Sequence, residues 1–237
     1  MLLPVLGLCG HALASGLQVT PVTLSLKPAQ NADGLWLSNT GDGVIQAQVR
    51  VYHWTQDANG DQLAPSQGLV VSPPMLKVSA DAPQLVRVIR LGAPPNGAGA
   101  VEDAYRIAID ELPVDMHGSK GLQFVLHYSV PVFVEPAGAA TPAPALQWSV
   151  QRDGDRAVLQ VANTGGTHAQ LAGLSFVNNA GQRSELTPGL LGYVLPGSTM
   201  RWILKTPVAA FAPGGTLEAL INGEKATQKL SLADRPR

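Results

Sequence analysis

Three features of the sequence predict an all-β chain folded as two sandwich domains in series. From Leu17 onward the apolar residues come in short runs closed by Gly, Pro, Asn and Asp, with no long stretch at helical period. The length of 237 residues exceeds that of one ordinary sandwich and suits two domains of roughly 100–200 residues. Between residues 137 and 145 the chain consists of Ala, Gly, Thr and Pro alone. Such a composition cannot join a central strand and reads as a short, semi-rigid linker.

Met1 to Ala14 is apolar and ends in the small-residue pattern Ala12-Leu13-Ala14 before Ser15-Gly16, which predicts a secretory signal cleaved after Ala14. Cys9, the single cysteine, lies within this segment and lacks the small residue expected before a lipidated cysteine. The mature chain is therefore expected to carry no disulfide and no thiol chemistry. No later apolar run approaches the roughly 20 residues needed to span a bilayer.

Residues 15–136 are assigned to the first domain. Its strands are expected at Leu17 to Leu26, Gly34 to Ser38, Gln46 to Trp54, Leu69 to Ser72, Leu85 to Leu91, Ala104 to Leu112 and Leu122 to Val134. In the third of these Ala47, Val49 and Val51 alternate with Gln46, Gln48, Arg50 and Tyr52, giving one apolar face and one wet face. About seven strands is the number expected of an immunoglobulin-like sandwich. Residues 146–237 form the second domain, with strands expected at Leu146 to Arg152, Ala157 to Ala162, Ala169 to Phe176, Leu190 to Leu195, Met200 to Lys205 and Leu217 to Ile221. An internal echo joins the halves. Leu37-Ser38-Asn39-Thr40-Gly41 and Val161-Ala162-Asn163-Thr164-Gly165 both end an apolar strand in the same turn, a match too short to establish duplication.

Charge and motifs exclude more than they select. The 16 basic and 17 acidic residues leave a net charge of −1 with no long single-sign run, so neither nucleic acid nor an anionic membrane surface has the basic patch it would need. His53, His117, His127 and His168 are scattered without metal-ligand spacing. There is no nucleophile elbow or phosphate loop, and Gly97-Ala98-Gly99 lacks the third glycine of a dinucleotide fingerprint. Asp57-Ala58-Asn59-Gly60-Asp61 opens like a calcium loop, but Gln62 and Gly68 stand where the turn glycine and the bidentate glutamate belong. It reads as a polar connection. No catalytic residue, metal or cofactor is assigned.

The segment from Gly121 to Val130 is different, because Leu122, Phe124, Leu126, Tyr128 and Val130 fall strictly on every second residue. Two readings stay open on the residues alone. The strand can be the last core strand of its own domain, or its bulky face can dock into a partner by strand addition.

The order and spacing of several segments resemble the periplasmic chaperones of the chaperone–usher fimbrial pathway. The carriers are Leu17-Gln18-Val19-Thr20-Pro21, Leu35 to Gly41, Val70-Val71-Ser72-Pro73-Pro74 with Val86-Arg87-Val88, Tyr105 to Pro113, and Leu122 to Pro136. They cover most of the first domain and more loosely the second. The resemblance implies two immunoglobulin-like sandwiches in an L-shaped arrangement, a periplasmic location, and two kinds of partner: fimbrial subunits and an outer-membrane usher. Such a chaperone lends its strand to an incomplete subunit sandwich (donor-strand complementation), a role that would fall on Leu122, Phe124, Leu126 and Tyr128. Edge strands of this kind also invite self-association when free.

Some residues depart from the family pattern. Thr23 stands near the position of a common arginine, Ser129-Val130-Pro131 replaces a basic stretch, and Glu135 precedes Pro136 where many relatives have arginine. The usual carboxylate anchor and interdomain ion pair are therefore not carried over, and the resemblance is to a divergent branch of the family. The alternatives are an exported fimbrial structural subunit or adhesin, and a secreted enzyme on a β scaffold.

Overall fold

The structure is a computed structural model that describes residues 16–113, 124–138, 143–230 and 232–233, so the expected signal at 1–14 lies outside the described residues. The first half folds into β1 (Leu17–Thr20), β2 (Leu24–Leu26), β3 (Ala32–Asn39), β4 (Ile45–Asp57), β5 (Gly60–Pro65), β6 (Leu69–Ser72), β7 (Met75–Val78), β8 (Gln84–Arg90), β9 (Asp103–Leu112) and β10 (His127–Val134). One sheet runs β1-β3-β8-β6; the other runs β2-β10-β9-β4-β5, with β7 also paired to β4. Alternation decides what lies between them. Leu35 and Leu37 of β3 and Val86 and Val88 of β8 meet Ala47 and Val49 of β4, Ile107 and Ile109 of β9, and Val130 and Val132 of β10 in one buried core. Each large side chain of this kind contributes about 1.5–3 kcal/mol through burial.

The second half contains β11 (Leu146–Asp153), β12 (Arg156–Asn163), β13 (Ala169–Asn178), β14 (Arg183–Val194), β15 (Thr199–Pro207), β16 (Gly215–Ile221), β17 (Glu224–Leu230) and β18 (Leu232–Ala233), with a 3-10 turn at Val208–Phe211. Its sheets run β15-β12-β11-β18 and β14-β13-β16-β17 around Leu159, Val161, Leu171, Phe176, Phe211 and Leu217. Among the described residues there is no α-helix.

Two details depart from the sequence expectations and one agrees with them. The opening Leu17 to Leu26 is not one strand: β1 and β2 belong to opposite sheets and part at Pro21, which has no N–H to continue a ladder. The polar segment after Trp54 is a connection, as expected: it is the tight end of the β4–β5 hairpin, where the Asn59 N–H bonds Asp57 Oδ1 at 2.7 Å and Gly60 takes φ of 105°. The final strand of the first half begins at His127, so the described residues Phe124 to Leu126 precede it, while Leu122 lies outside the described residues.

The Asn-Thr-Gly echo is structural. Asn39 Nδ2 donates to the carbonyls of Gly43 and Val78, and its Oδ1 accepts the Gly41 N–H. Asn163 Nδ2 donates to Thr167 and Val194, and its Oδ1 accepts the Gly165 N–H. Thr40 and Thr164 each bond one neighbouring carbonyl, that of Gly16 or Ala145, through both N–H and hydroxyl. Each asparagine is buried, and each ties its own turn to a strand end distant in sequence.

Candidate functional site: an open strand edge beside the interdomain cleft

Strand β10 is paired along its whole length with β9, from His127 opposite Asp110 to Val134 opposite Asp103. On its other side only the three residues of β2 are paired to it, parallel, at Val132 to Val134. Which backbone groups face which neighbour follows from two bonds just beyond the ladders. The Glu111 N–H reaches Leu126 O at 2.9 Å, so even-numbered residues of β10 exchange bonds with β9; the Glu135 N–H reaches Leu26 O at 2.9 Å, so odd-numbered residues face β2. The N–H and C=O of His127 and Ser129 therefore point to the side where no described strand lies. Pro131, next on that side, has no N–H. An unpaired edge of this kind is a template for another strand.

The four residues singled out from the sequence stand differently here. Leu122 lies outside the described residues. Phe124 is 64% exposed, and its neighbour Val125 is exposed too. Leu126 and Tyr128 are half-buried and pack on the first core, with the Tyr128 hydroxyl bonding Leu17 O at 2.6 Å and so fastening β1 to the edge. The apolar face therefore grades from open at Phe124, through partly covered at Leu126 and Tyr128, to fully buried at Val130.

The outer face of the same sheet carries the polar groups. Asp110 of β9 accepts from Arg50 Nη2 and pairs with His127 Nδ1, both at 2.6 Å. Partial burial alone would push its carboxyl up, but the hydrogen bonds and charges of Arg50 and His127 outweigh that and hold it below its usual value. Toward the second domain this face turns apolar and is sealed: Trp54, Ala104 and Phe133 pack with Tyr193 and Leu195 across the interface.

Polar groups pin the domains to each other. The Gln56 side-chain amide donates to Tyr193 O at 2.9 Å and accepts the Leu195 N–H at 2.8 Å, acting as a one-residue strand against β14. Glu102, buried, accepts the His168 backbone N–H and pairs with His168 Nδ1 at 2.7 Å, while the His168 ring stacks on Phe133 at 3.5 Å. Glu102 and His168 thus form a hydrogen-bonded pair across this interface. Sequence reading passed over these residues because only the fold gathers positions 54, 102, 133, 168 and 193; an isolated histidine carries no such signal.

Comparison with known proteins agrees with this geometry. The fold matches a chain of the CsuC–CsuE chaperone–tip adhesion subunit pre-assembly complex from Acinetobacter baumannii at 24% identity and a TM-score of 0.71, covering 92% of this chain and 99% of that one. It matches the SafB chaperone complex with the SafA pilin of Salmonella enterica at 17% identity and 0.64, over 93% and 99% of the two chains. The E. coli chaperone DraB aligns at 19% identity and 0.61, over 92% and 97%. None of the curated protein sequences matches. The model of the pili and flagellar-assembly chaperones, PapD N-terminal domain, matches residues 16–140, more than half of the chain, and the chain belongs to that family.

Proposed function

We propose that the protein is a periplasmic chaperone that captures fimbrial subunits along the open half of β10 and passes them to an outer-membrane usher, without cofactor or turnover. The observation that carries this is the unpaired edge at His127 and Ser129, continued upstream by exposed Phe124. A subunit strand laid there would take up the outward main-chain groups, while Phe124, Leu126 and Tyr128 complete an apolar groove in the subunit. Leu122 would extend the same face. Membership of a chaperone family supports the reading, as do similar folds solved in complex with pilus subunits. We further take residues 15–136 and 146–237 as the two domains joined by 137–145, a division supported by sheets drawn wholly from one side or the other.

Co-expression with candidate fimbrial subunits and one-step purification tests this. Wild type should yield a soluble one-to-one complex and Phe124→Asp should not, because the substitution places a charge in the pocket-filling face. Phe124 is exposed in the free chain, so the variant should melt within about 0.5 kcal/mol of wild type. A folded variant that still captures the subunit removes Phe124 from the site.

A further inference from the structure

The outer face of the β14-β13-β16-β17 sheet is dished, and the cause lies in β13. Leu171, Leu174 and Phe176 all belong to the second core, a spacing of three and then two that strict alternation forbids. The ladder to β14 slips between Leu171 and Ser175, where Gly173 takes φ of 58°, and the extra residue is taken up as a bulge. This leaves two small residues, Gly173 and Ser175, on the outer face in mid-sheet. They floor a cavity of about 570 Å³, with Glu185, Pro188 and Gly189 on its β14 side and Lys225 and Thr227 on its β17 side.

The polar groups of this cavity are unevenly satisfied. Ser175, 1% exposed, sits directly between Glu185 of β14 and Glu218 of β16. Its hydroxyl nevertheless has no hydrogen-bond partner among the described residues. A buried hydroxyl in that state is uncommon, and it is unfavourable until something fills it. Glu218 is answered by Arg183 at 3.0 Å. Glu185 and Lys225, both exposed, have no hydrogen bond or ion pair among the described residues.

One negative charge is therefore unanswered on the β14 side and one positive charge on the β17 side, while the four charged residues of the lining cancel in sum. Such a site favours neither a plain cation nor a plain anion. It suits a molecule that carries both charges, held apart. Neighbouring strands lie about 4.8 Å from each other, so the β14 and β17 backbones are roughly 14 Å apart. Once a glutamate and a lysine side chain reach in from either side, a dipeptide spans the remainder and a single amino acid does not. The apolar lining, Pro188, Ala219, Leu220 and Ala226, suits small side chains.

We infer that this cavity binds small zwitterions of dipeptide length, with the ammonium between Glu185 and the Ser175 hydroxyl and the carboxylate at Lys225 beside Thr227. The sheet that carries it shares no strand with β10, so the site stands or falls apart from subunit capture.

The test is a titration of the isotopically labelled full chain with L-alanyl-L-alanine, followed by amide NMR. Wild type should show saturable shifts at Gly173, Ser175 and Thr227. The N-acetylated dipeptide, which lacks the ammonium, and the carboxamide, which lacks the carboxylate, should each bind about tenfold more weakly. Glu185→Gln should bind the free and acetylated dipeptides alike while keeping its preference for the carboxylate. Lys225→Gln should do the reverse. Both positions are exposed, so neither variant should change Tm. Ser175→Ala should weaken dipeptide binding with Tm equal to or above that of wild type, because the hydroxyl it removes had no partner.

The absence of saturable shifts at these amides in wild type overturns the inference. So does equal affinity for the dipeptide and its two capped forms. A Ser175→Ala chain with lowered Tm and undiminished binding reduces Ser175 to a packing residue and removes the floor of the site.

Discussion

From Val130 to Val134 every side chain of β10 is buried, and β2 closes the strand's far side from Val132; from His127 to Ser129 the side chains are exposed or half-buried and the far edge is bare. One strand thus follows two rules within eight residues. The inner half has the character of a central strand, with Val132 in the core and Phe133 sealing the interface to the second domain. The outer half keeps its register through β9 and Asp110 while leaving outward main-chain groups unused. The comparison teaches that a binding edge need not be loose. The inner half is fixed by burial and two ladders, which hold the outer half in strand geometry in advance and reduce the ordering cost when a partner arrives.

A charge at the inner half should have the largest effect. Val132 is fully buried among apolar neighbours, so Val132→Asp should cost more than about 4 kcal/mol and abolish cooperative melting of the first sandwich, read by circular dichroism. A variant that melts like wild type would mean that the two halves of β10 do not differ in kind.

A backbone change at the outer half should separate binding from stability. The Ser129 N–H faces the unpaired side, so Ser129→Pro removes a donor that β9 never used, as Pro131 already does two residues on. Stability should change by less than about 1 kcal/mol, while subunit affinity falls about tenfold from the lost main-chain bond and the ring's bulk. Loss of stability without loss of affinity would place the partner elsewhere.

The sequence makes some of this legible and conceals the rest for physical reasons. Buried strands announce themselves: Val49 and Val51 of β4 and Ile107 and Ile109 of β9 lie where alternation puts them. Strands β5 and β17 escape, because Gly60–Pro65 and Glu224–Leu230 are edge strands whose mostly exposed, polar residues carry no apolar period. The alternation from Leu122 onward suggests a strand from that point, but β9 ends at Leu112, opposite Val125 in the running register, and period alone cannot supply a partner. The openness of the edge was not legible either. A period of two looks the same on an edge and in the middle of a sheet, and here the difference is set by the shortness of β2. The setting of Arg106 was hidden more deeply, since only the fold brings its guanidinium 3.7 Å from the centre of the Trp54 ring and 5.0 Å from that of Tyr193.

The smallest expected effect concerns what holds the outer half in register. Arg50 and His127 keep the Asp110 carboxyl below the value it has in the unfolded chain. A carboxylate depressed by folding contributes stability that is present above its unfolded pKa, about 3.9, and is lost as pH falls through the lower folded value. Asp110→Asn should therefore melt slightly below wild type at neutral pH, with the gap in Tm closing as the solution is taken from about pH 5 toward pH 2. The effect should be modest and shrink with added salt, because Arg50 and His127 are largely exposed. A gap that stays constant across that range would show that Asp110 acts through the shape of its hydrogen bonds and not through its charge. The register of His127 would then depend on the β9 ladder alone.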